Sequence, residues 1–248
     1  MIDETHFGFE TVSEHLKTGL VRDVFRRVAQ KYDLMNDLMS LGIHRLWKDH
    51  LVMGLNLPQN PFILDVAGGT GDIAFRMIKA YPHRNPTIAV CDLTPEMIEI
   101  GRDRAMNQGI VKEIEWICGN AENLPLPENS VDLYTIAYGL RNVTRVDGAL
   151  REAFRVLKPG GKFVCLEFSR VKGFAIEKAY DFYSFHLLPV LGEWVANDRK
   201  AYEYLVESIR QFPDQETLGE MMKSAGFTNL NWQNLCGGIS CIHTAIKE

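Results

Sequence analysis

From residue 62 onward, short β-rich runs alternate with stretches whose apolar residues have helical spacing. This alternation is typical of a parallel sheet in which each strand is followed by a crossover helix. Five runs are apolar enough for burial on both faces, as the strands of a parallel sheet usually are. These runs are residues 62–66, 87–92, 114–118, 131–137 and 162–167. The sequence therefore predicts an α/β fold with a mostly parallel sheet.

The two ends of the chain add other elements to this alternating region. A helix is predicted from about Asp214 to Ala225, and runs at 229–234 and 239–245 flank a Gly-Gly turn, which favours an antiparallel hairpin. One domain, 1–248, is predicted. Its parts are N-terminal helices over the site at 1–55, a cofactor-binding core at 62–170 and a helical cap at 173–210, inserted before the last helix and hairpin.

Composition narrows the class of protein and its partners. A length of 248 residues with 46% apolar residues suits one domain, and a formal net charge of -5 argues against nucleic acid as a partner. The five cysteines form no CxxC pair, and neither they nor the seven histidines have metal-ligand spacing, so reduced thiols and no metal are expected. Without a signal-like start or a run of about 18 apolar residues, we expect a cytoplasmic protein.

A glycine-rich segment at 65–72 follows the first strand and opens a helix. Glycines at such a turn let a ligand approach the backbone closely, which favours a nucleotide-like cofactor near Asp65, Gly69, Thr70 and Gly71. The alternative is a tight turn that binds nothing. The motif alone does not decide between the two.

Two further segments add polar groups at the ends of strands. Asp92 ends the second strand about 20 residues on, where a carboxylate can accept hydrogen bonds from both hydroxyls of a ribose, with Leu93 next to it. Asp92 could equally cap the helix that follows, and one role does not exclude the other. Asn120 and Ala121 follow the third strand and could pack beside an adenine, although an asparagine there is also a common turn residue.

With the block Arg-Val-Leu-Lys-Pro-Gly-Gly-Lys at 155–162, this pattern resembles the class I methyltransferases that use S-adenosylmethionine. The resemblance covers residue 62 to the end and implies a Rossmann-like, seven-stranded sheet and S-adenosylmethionine as the cofactor. The D-x-G-x-G-x-G motif that is usual in that class is altered here, because alanine replaces its first glycine at position 67. Gly69, Gly71 and Ala74 also match the G-x-G-x-x-A of a dinucleotide fingerprint, so a nicotinamide-dependent oxidoreductase is kept as a less favoured alternative.

Several longer blocks resemble the C-methyltransferases of ubiquinone and menaquinone biosynthesis over almost the full length. They are Tyr-Asp-Leu-Met-Asn at 32–36, Ser-Leu-Gly-Ile-His-Arg-Leu-Trp at 40–47, Tyr-Gly-Leu-Arg-Asn-Val-Thr at 138–144, Leu-Glu-Phe-Ser at 166–169, and Tyr-Ser-Phe-His at 183–186. The resemblance implies methylation of a ring carbon of demethylmenaquinol, of 2-methoxy-6-polyprenyl-1,4-benzoquinol, or of both. It also implies a cofactor contact at Ala137, where the family often has a serine whose hydroxyl alanine cannot supply. The candidate cofactor-binding residues are then Asp65, Gly69, Thr70, Gly71, Asp92, Leu93, Asn120, Ala121 and Ala137.

Methyl transfer to carbon is an in-line displacement, which requires the ring carbon to be held about 3–3.5 Å from the methyl group. Removing a proton from a neighbouring hydroxyl makes that carbon a better nucleophile, so a general base is expected. We expect Arg141 to stabilise the phenolate and Asn142 to orient the same oxygen. The alternative for Arg141 is a surface ion pair.

The candidates for the base are His44, Tyr32, Asp33 and His186, of which only histidine titrates near neutrality without perturbation. His44 is the first choice, although a lone histidine is more often structural.

A polyprenyl tail needs an apolar channel, and the cap is rich in aromatic residues. They are Phe174, Tyr180, Phe182, Tyr183, Phe185, Trp194, Tyr202 and Tyr204. Aromatic residues at helical spacing more commonly form core, which stays the alternative. The expected partner is a lipophilic quinol, while peripheral contact with the inner face of the membrane, a quinone-biosynthesis complex and a homodimer are left open. The sequence also leaves open a different methyl acceptor, small or macromolecular, and a role as a non-enzymatic subunit.

Overall fold

The computed structural model describes residues 3–171, 178 and 198–248. Its N-terminal elements are β1 (Glu4–Phe7), β2 (Glu10–Ser13), α1 (Glu14–Val28), α2 (Tyr32–Ser40) and α3 (His44–Met53). Next come β3 (Phe62–Val66), α4 (Asp72–Ala80), β4 (Thr87–Asp92), α5 (Pro95–Asn107), β5 (Ile114–Cys118), β6 (Val131–Ala137), α6 (Val146–Val156) and β7 (Leu157–Phe168). The last elements are α7 (Arg199–Gln211), α8 (Gln215–Ser224), β8 (Thr228–Leu235) and β9 (Ser240–Ile246).

The main sheet has seven strands in the order β5-β4-β3-β6-β7-β9-β8. The first five of these are parallel, and β9 pairs antiparallel with both β7 and β8. The predicted fold class is therefore confirmed. Beyond β3 the chain first adds β4 and β5 on one side and then crosses to β6 on the other, so the strand order reverses between β3 and β6. A reversal of this kind opens a crevice at the carboxyl ends of the two strands.

Four of the five predicted parallel strands have the bounds expected from the sequence, because each is a short, mostly apolar run. The fifth prediction was too short. β7 begins at Leu157, because Leu157 pairs with Val131 on the far side of a register shift. The Pro-Gly-Gly segment, which was expected to precede the strand, therefore lies within it.

The N-terminal region was predicted to be helical and also contains a hairpin. β1 and β2 pair antiparallel around Gly8, whose φ of +61° favours glycine. A side chain at Gly8 would also collide with Glu207 of α7, which accepts a hydrogen bond from Phe9 N. The hairpin is thus docked on α7.

The predicted terminal helix and hairpin are present. The Asp214 carboxylate accepts from Thr217 N at 2.9 Å and caps α8. Of the predicted cap, α7 is described, and the segment 172–197, apart from residue 178, lies outside the described residues. Within the described residues, no helix combines the length and apolar character that crossing a bilayer requires.

Candidate active site

A cleft of about 710 Å³ lies at the carboxyl ends of β3, β4, β5 and β6, on the reversal point of the sheet. Each of these strands contributes the residues that directly follow it. The cleft is lined by Val66, Ala67, Gly69, Asp92, Leu93, Thr94, Met97, Gly119, Asn120, Ala121, Glu122, Tyr138, Gly139, Asn142, Val143 and Thr144, and by Thr18, Val21 and Phe25 of α1. The strands thus bring together side chains that are far apart in the sequence.

The turn after β3 forms the floor of the cleft. Ala67, which replaces the glycine usual in this motif, has a φ of +49°, and Gly69 and Gly71 also have positive φ. A side chain at Gly139 would collide with the Ala67 methyl group, so glycine at 139 makes room for alanine at 67. At Gly68 an added Cβ would lie 2.8 Å from Asp65 Oδ2. The turn is therefore close-packed beneath the cleft.

Asp92 joins two backbone segments at the centre of the cleft. Gly69 N donates to Asp92 Oδ2 and Thr94 N donates to Oδ1, each at 2.9 Å. Burial raises the pKa of Asp92, against these hydrogen bonds, which favour the carboxylate. The bond to Thr94 N supports the capping role, and because each oxygen can accept a second hydrogen bond, ribose binding is compatible with it.

The third wall of the cleft follows β5. The Asn120 side chain accepts from Glu122 N at 3.0 Å, which fixes a turn, and the same turn presents Ala121 to the cleft. The Glu122 carboxylate pairs with Arg145 at 2.8 Å and is thereby held at the rim. Asn120 is thus a turn residue that also lines the cleft.

The sequence did not single out α1, which closes the cleft from above. Thr18, Val21 and Phe25 face it from one side of the helix. Their i, i+3, i+7 spacing, which places them on one face of a helix, was the signal in the sequence that could have identified them.

A smaller cavity of about 310 Å³, here the turn cavity, adjoins the cleft through Ala67. It is lined by Lys48, Asp65, Ala67, Gly68, Thr70, Asp72, Ile73 and Ala137. Among the candidate cofactor residues, five line the cleft and Asp65, Thr70 and Ala137 line the turn cavity. Gly71 lines neither, because the Trp116 ring packs against it.

Arg141 is buried, so the surface ion pair considered as an alternative is not what the structure has. Its Nη1 donates to Glu167 Oε1 and to Tyr138 O, each at 2.7 Å. The planar group also lies over the Phe168 ring, 5.4 Å from its centroid. Burial raises the pKa of Glu167, although the Arg141 charge opposes that shift. Glu167 was assigned no role from the sequence, although a carboxylate inside an apolar strand is a signal that could have identified it.

Asn142 and Arg141 border different spaces. Asn142 lines the cleft, and its Oδ1 accepts from the Tyr204 hydroxyl at 3.0 Å. Arg141 lines a third cavity of about 540 Å³, here the hairpin cavity, beside Thr5, Lys17 and Tyr204. Both spaces are bounded by Val143 and Thr144, so they adjoin at this segment.

His44 is not brought to the cleft. It is buried at the start of α3, with Nδ1 3.1 Å from Ser40 Oγ, and it lines neither the cleft nor the turn cavity nor the hairpin cavity. Burial and the nearby Lys48 ammonium lower the pKa of His44 to about 4. The side chains of Tyr32 and Asp33, and all of His186, lie outside the described part of the structure.

Comparison with known proteins agrees with the predicted resemblance. The model of the ubiE/COQ5 methyltransferase family matches residues 11–247. A ubiquinone/menaquinone biosynthesis C-methyltransferase UbiE from Cereibacter sphaeroides is 52% identical over 243 residues, covering 98% of this chain and 96% of the relative. A bovine mitochondrial 2-methoxy-6-polyprenyl-1,4-benzoquinol methylase is 49% identical over 276 residues, covering 98% and 84%.

Solved structures add information about the fold. An S-adenosylmethionine-dependent methyltransferase from Aquifex aeolicus has a TM-score of 0.61 at 17% identity, covering 86% of this chain and 97% of that one. The [4+2]-cyclase SpnF has a TM-score of 0.63 at 20% identity, covering 89% and 94%. Since a cyclase and a methyltransferase share this fold, the fold alone does not decide the activity. The family match over residues 11–247 decides the activity, and it excludes the alternative of a nicotinamide-dependent oxidoreductase. The chain belongs to the ubiE/COQ5 methyltransferase family.

Proposed function

We propose that this chain transfers a methyl group from S-adenosylmethionine to a ring carbon of a polyprenyl quinol. The acceptor is demethylmenaquinol, 2-methoxy-6-polyprenyl-1,4-benzoquinol, or both, in keeping with the names of the two full-length relatives. The observation that carries the proposal is the cleft at the strand reversal. It brings five candidate cofactor residues, Gly69, Asp92, Leu93, Asn120 and Ala121, to one space beside Asn142.

S-adenosylmethionine is the cofactor, and its sulfonium supplies an electrophilic methyl group. The residues present fit this ligand, because the cleft combines an apolar wall with a carboxylate that has free acceptor capacity. Asp92 would hold the ribose, while Leu93 and Ala121 would pack against the adenine. Phe25 and Val21 of α1 would cover both groups and exclude water from them.

Arg141 and Asn142 act on the acceptor ring where their two spaces, the hairpin cavity and the cleft, adjoin at Val143 and Thr144. The guanidinium of an arginine stays protonated at any ordinary pH, so Arg141 lowers the cost of forming a phenolate beside it. The Tyr204 hydroxyl donates to Asn142 Oδ1. The Asn142 amide nitrogen can therefore donate to the quinol oxygen that Arg141 stabilises. Together they hold the ring and increase electron density at the carbon next to the oxygen.

The proton of the quinol hydroxyl needs an acceptor other than His44. A histidine with a pKa of about 4 is neutral at pH 7, but it is a weak base and is not at the cleft. We therefore expect phenolate stabilisation by Arg141 to supply most of the activation, with the proton leaving through water or a side chain of the cap.

The test is transfer of labelled methyl from S-adenosylmethionine to demethylated benzoquinols and naphthoquinols, each supplied reduced and oxidised. We expect transfer to reduced rings only, and loss of transfer in Arg141→Met but not in Arg151→Met, an exposed arginine of α6. Transfer to neither ring class, with the cofactor still bound, would overturn the proposal in favour of another acceptor or a non-catalytic subunit.

The chain is also proposed to act in the cytoplasm, in peripheral contact with the inner face of the membrane, because the acceptor's tail resides in lipid. The α2–α3 turn offers a contact, with Leu41 72% exposed and Leu46 67% exposed. Exchanging both leucines for aspartate should reduce flotation with lipid vesicles, whereas Met106→Asp, equally exposed on α5, should not. Unchanged flotation of the double variant would remove this surface. A homodimer and a quinone-biosynthesis complex stay predictions.

A further inference from the structure

The hairpin cavity presents positive charge to whatever enters it. Arg141 and Lys17 both line it, and no aspartate or glutamate is among the described residues of its wall. The exposed imidazole of His6 also lines it and can only add positive charge. Two buried cations on one wall suit a ligand with a negatively charged oxygen, because hydrogen bonds between ionised partners are the strong ones.

Lys17 reaches this cavity from the first helix. The buried face of α1 consists of Lys17, Val21, Val24 and Val28, at the spacing of one helix side. Lys17 is 7% exposed, and its Nζ donates to Val143 O at 2.9 Å. An ammonium has three N–H donors, so this bond leaves two of them for a ligand.

The carboxylates that act on Lys17 are held outside the cavity by another residue. Burial lowers the pKa of Lys17, and the charges of Glu122 and Glu14 oppose that shift. Arg145 pairs with Glu122 at 2.8 Å and lies 3.7 Å from Glu14. Neither glutamate lines the hairpin cavity. An anion inside the cavity would therefore give the buried ammonium a closer partner of opposite charge.

Arg141 adds a second open donor to the same wall. Its Nη1 donates to Glu167 and to Tyr138 O, whereas its Nε is buried and has no hydrogen-bond partner among the described residues. A buried donor without an acceptor is unfavourable. An oxygen anion that enters the cavity could accept from it and remove that cost.

We propose that the hairpin cavity receives the ionised hydroxyl oxygen of the quinol, and that Lys17 is a second cation, beside Arg141, that stabilises this phenolate. This inference rests on the proposed function, because it takes a quinol as the acceptor. Ionisation breaks the O–H bond and releases its proton to water. The electron pair left on oxygen then increases electron density at the neighbouring ring carbon. That carbon can stay on the cleft side, because the two spaces adjoin at Val143 and Thr144.

The competing explanation is that Lys17 only ties α1 to the segment after β6. That tie is also made by Thr18, whose Oγ1 lies 2.9 Å from Thr144 Oγ1. A tie needs no charge, since the amide of a glutamine can donate to Val143 O as an ammonium does. A cation that stabilises a phenolate acts through its charge, and an acceptor that is already ionised needs it least.

The experiment is single-turnover methyl transfer by the wild type, Lys17→Gln and Lys17→Arg at about pH 8. Two short-tailed quinols of the ring class that the wild type methylates are compared. One is the parent, and the other is chlorinated away from the acceptor carbon, so that its hydroxyl is largely ionised at that pH. We expect Lys17→Gln to slow the parent about 100-fold and the chlorinated quinol less than about threefold. Lys17→Arg, which restores the charge, should recover part of the lost rate.

Lys200→Gln, at an exposed position of α7, is the matched control and should leave both rates unchanged. Equal slowing of both quinols by Lys17→Gln, or no slowing, would overturn the inference. If that variant does not fold, the wild type with S-adenosylhomocysteine and 4-nitrophenol decides, because this phenol absorbs visible light strongly only as the phenolate. Binding should lower the pKa of the phenol, and an unlowered pKa or no binding would also overturn the inference. If the wild type methylates no quinol of either class, the proposed function itself fails.

Discussion

The guanidinium of Arg141 and the carboxylate of Glu167 form an ion pair at 2.7 Å in which both side chains are almost completely buried. Arg141 lies in the short 3₁₀ turn after β6 and Glu167 lies near the end of β7, so the pair ties the turn to the neighbouring strand. Glu167 also accepts from Phe168 N at 2.9 Å. The orientation of Arg141 therefore depends on a residue that contacts neither the cleft nor the turn cavity.

Glu167→Gln should destabilise the protein by about 3 kcal/mol, because it leaves the Arg141 charge buried without its counter-ion. A displaced guanidinium should also lower the rate of methyl transfer, by up to about 100-fold. Affinity for S-adenosylhomocysteine should change little, which separates positioning from loss of the cofactor site. Urea unfolding and single-turnover transfer rates measure these effects.

Asp147→Asn is the control, since Asp147 pairs with Arg151 at the same 2.7 Å distance but on the exposed side of α6. Its stability should stay within about 0.5 kcal/mol of the wild type. If Glu167→Gln keeps wild-type stability and rate, Arg141 does not depend on the pair.

Tyr204→Phe should lower the transfer rate, because the Tyr204 hydroxyl holds Asn142 Oδ1 at 3.0 Å. Loss of one buried hydrogen bond costs about 1 kcal/mol and frees the amide to turn. Tyr202 offers the matched control: it is buried on the same helix, and its hydroxyl has no hydrogen-bond partner among the described residues. Tyr202→Phe should therefore leave rate and thermal stability unchanged, and equal losses in both variants would contradict a role for Asn142.

The sheet was predictable because the property that selects a buried strand is local. The runs at 62–66, 87–92, 114–118 and 131–137 are mostly apolar, and this local pattern was enough to predict their bounds. The hairpin β1–β2 was missed because its strands are largely polar and short. It is held by distant contacts, including Phe7 stacked on Tyr204 with ring centroids 4.3 Å apart.

The candidate site was predictable where a strand end carries a polar residue, as at Asp92 and Asn120. Lys17 and Glu167 were assigned no role, because one resembles an ordinary helix lysine and the other an isolated charge in a strand. Their roles depend on partners that only the folded chain brings near, Val143 for the lysine and Arg141 for the glutamate. Conversely, His44 was selected as a candidate base because an unperturbed histidine titrates near neutrality, but burial lowers the pKa of His44 to about 4.

His44→Ala should retain the wild-type dependence of rate on pH between pH 6 and 9. With a pKa of about 4, His44 does not change its charge in that range. Some stability should be lost with the Ser40 contact and the buried ring volume. A steady-state pH profile corrected for folded fraction checks this. If the variant loses the acidic limb of the profile, in which the rate falls as a base becomes protonated, His44 would be restored as the general base.

Asp65 should contribute a loss of stability as pH rises from about 4 to about 7, and His44, whose pKa is lowered from 6.5 to about 4, opposes this loss in the lower part of that range. Burial raises the pKa of Asp65 from 3.8 to about 7, against the hydrogen bond from Thr135. The folded state therefore binds a proton that the unfolded state releases, and stability declines through that window. Asp65→Asn removes this contribution. Between about pH 4 and about pH 7, the free energy of unfolding of the variant should therefore rise relative to that of the wild type by up to about 4 kcal/mol.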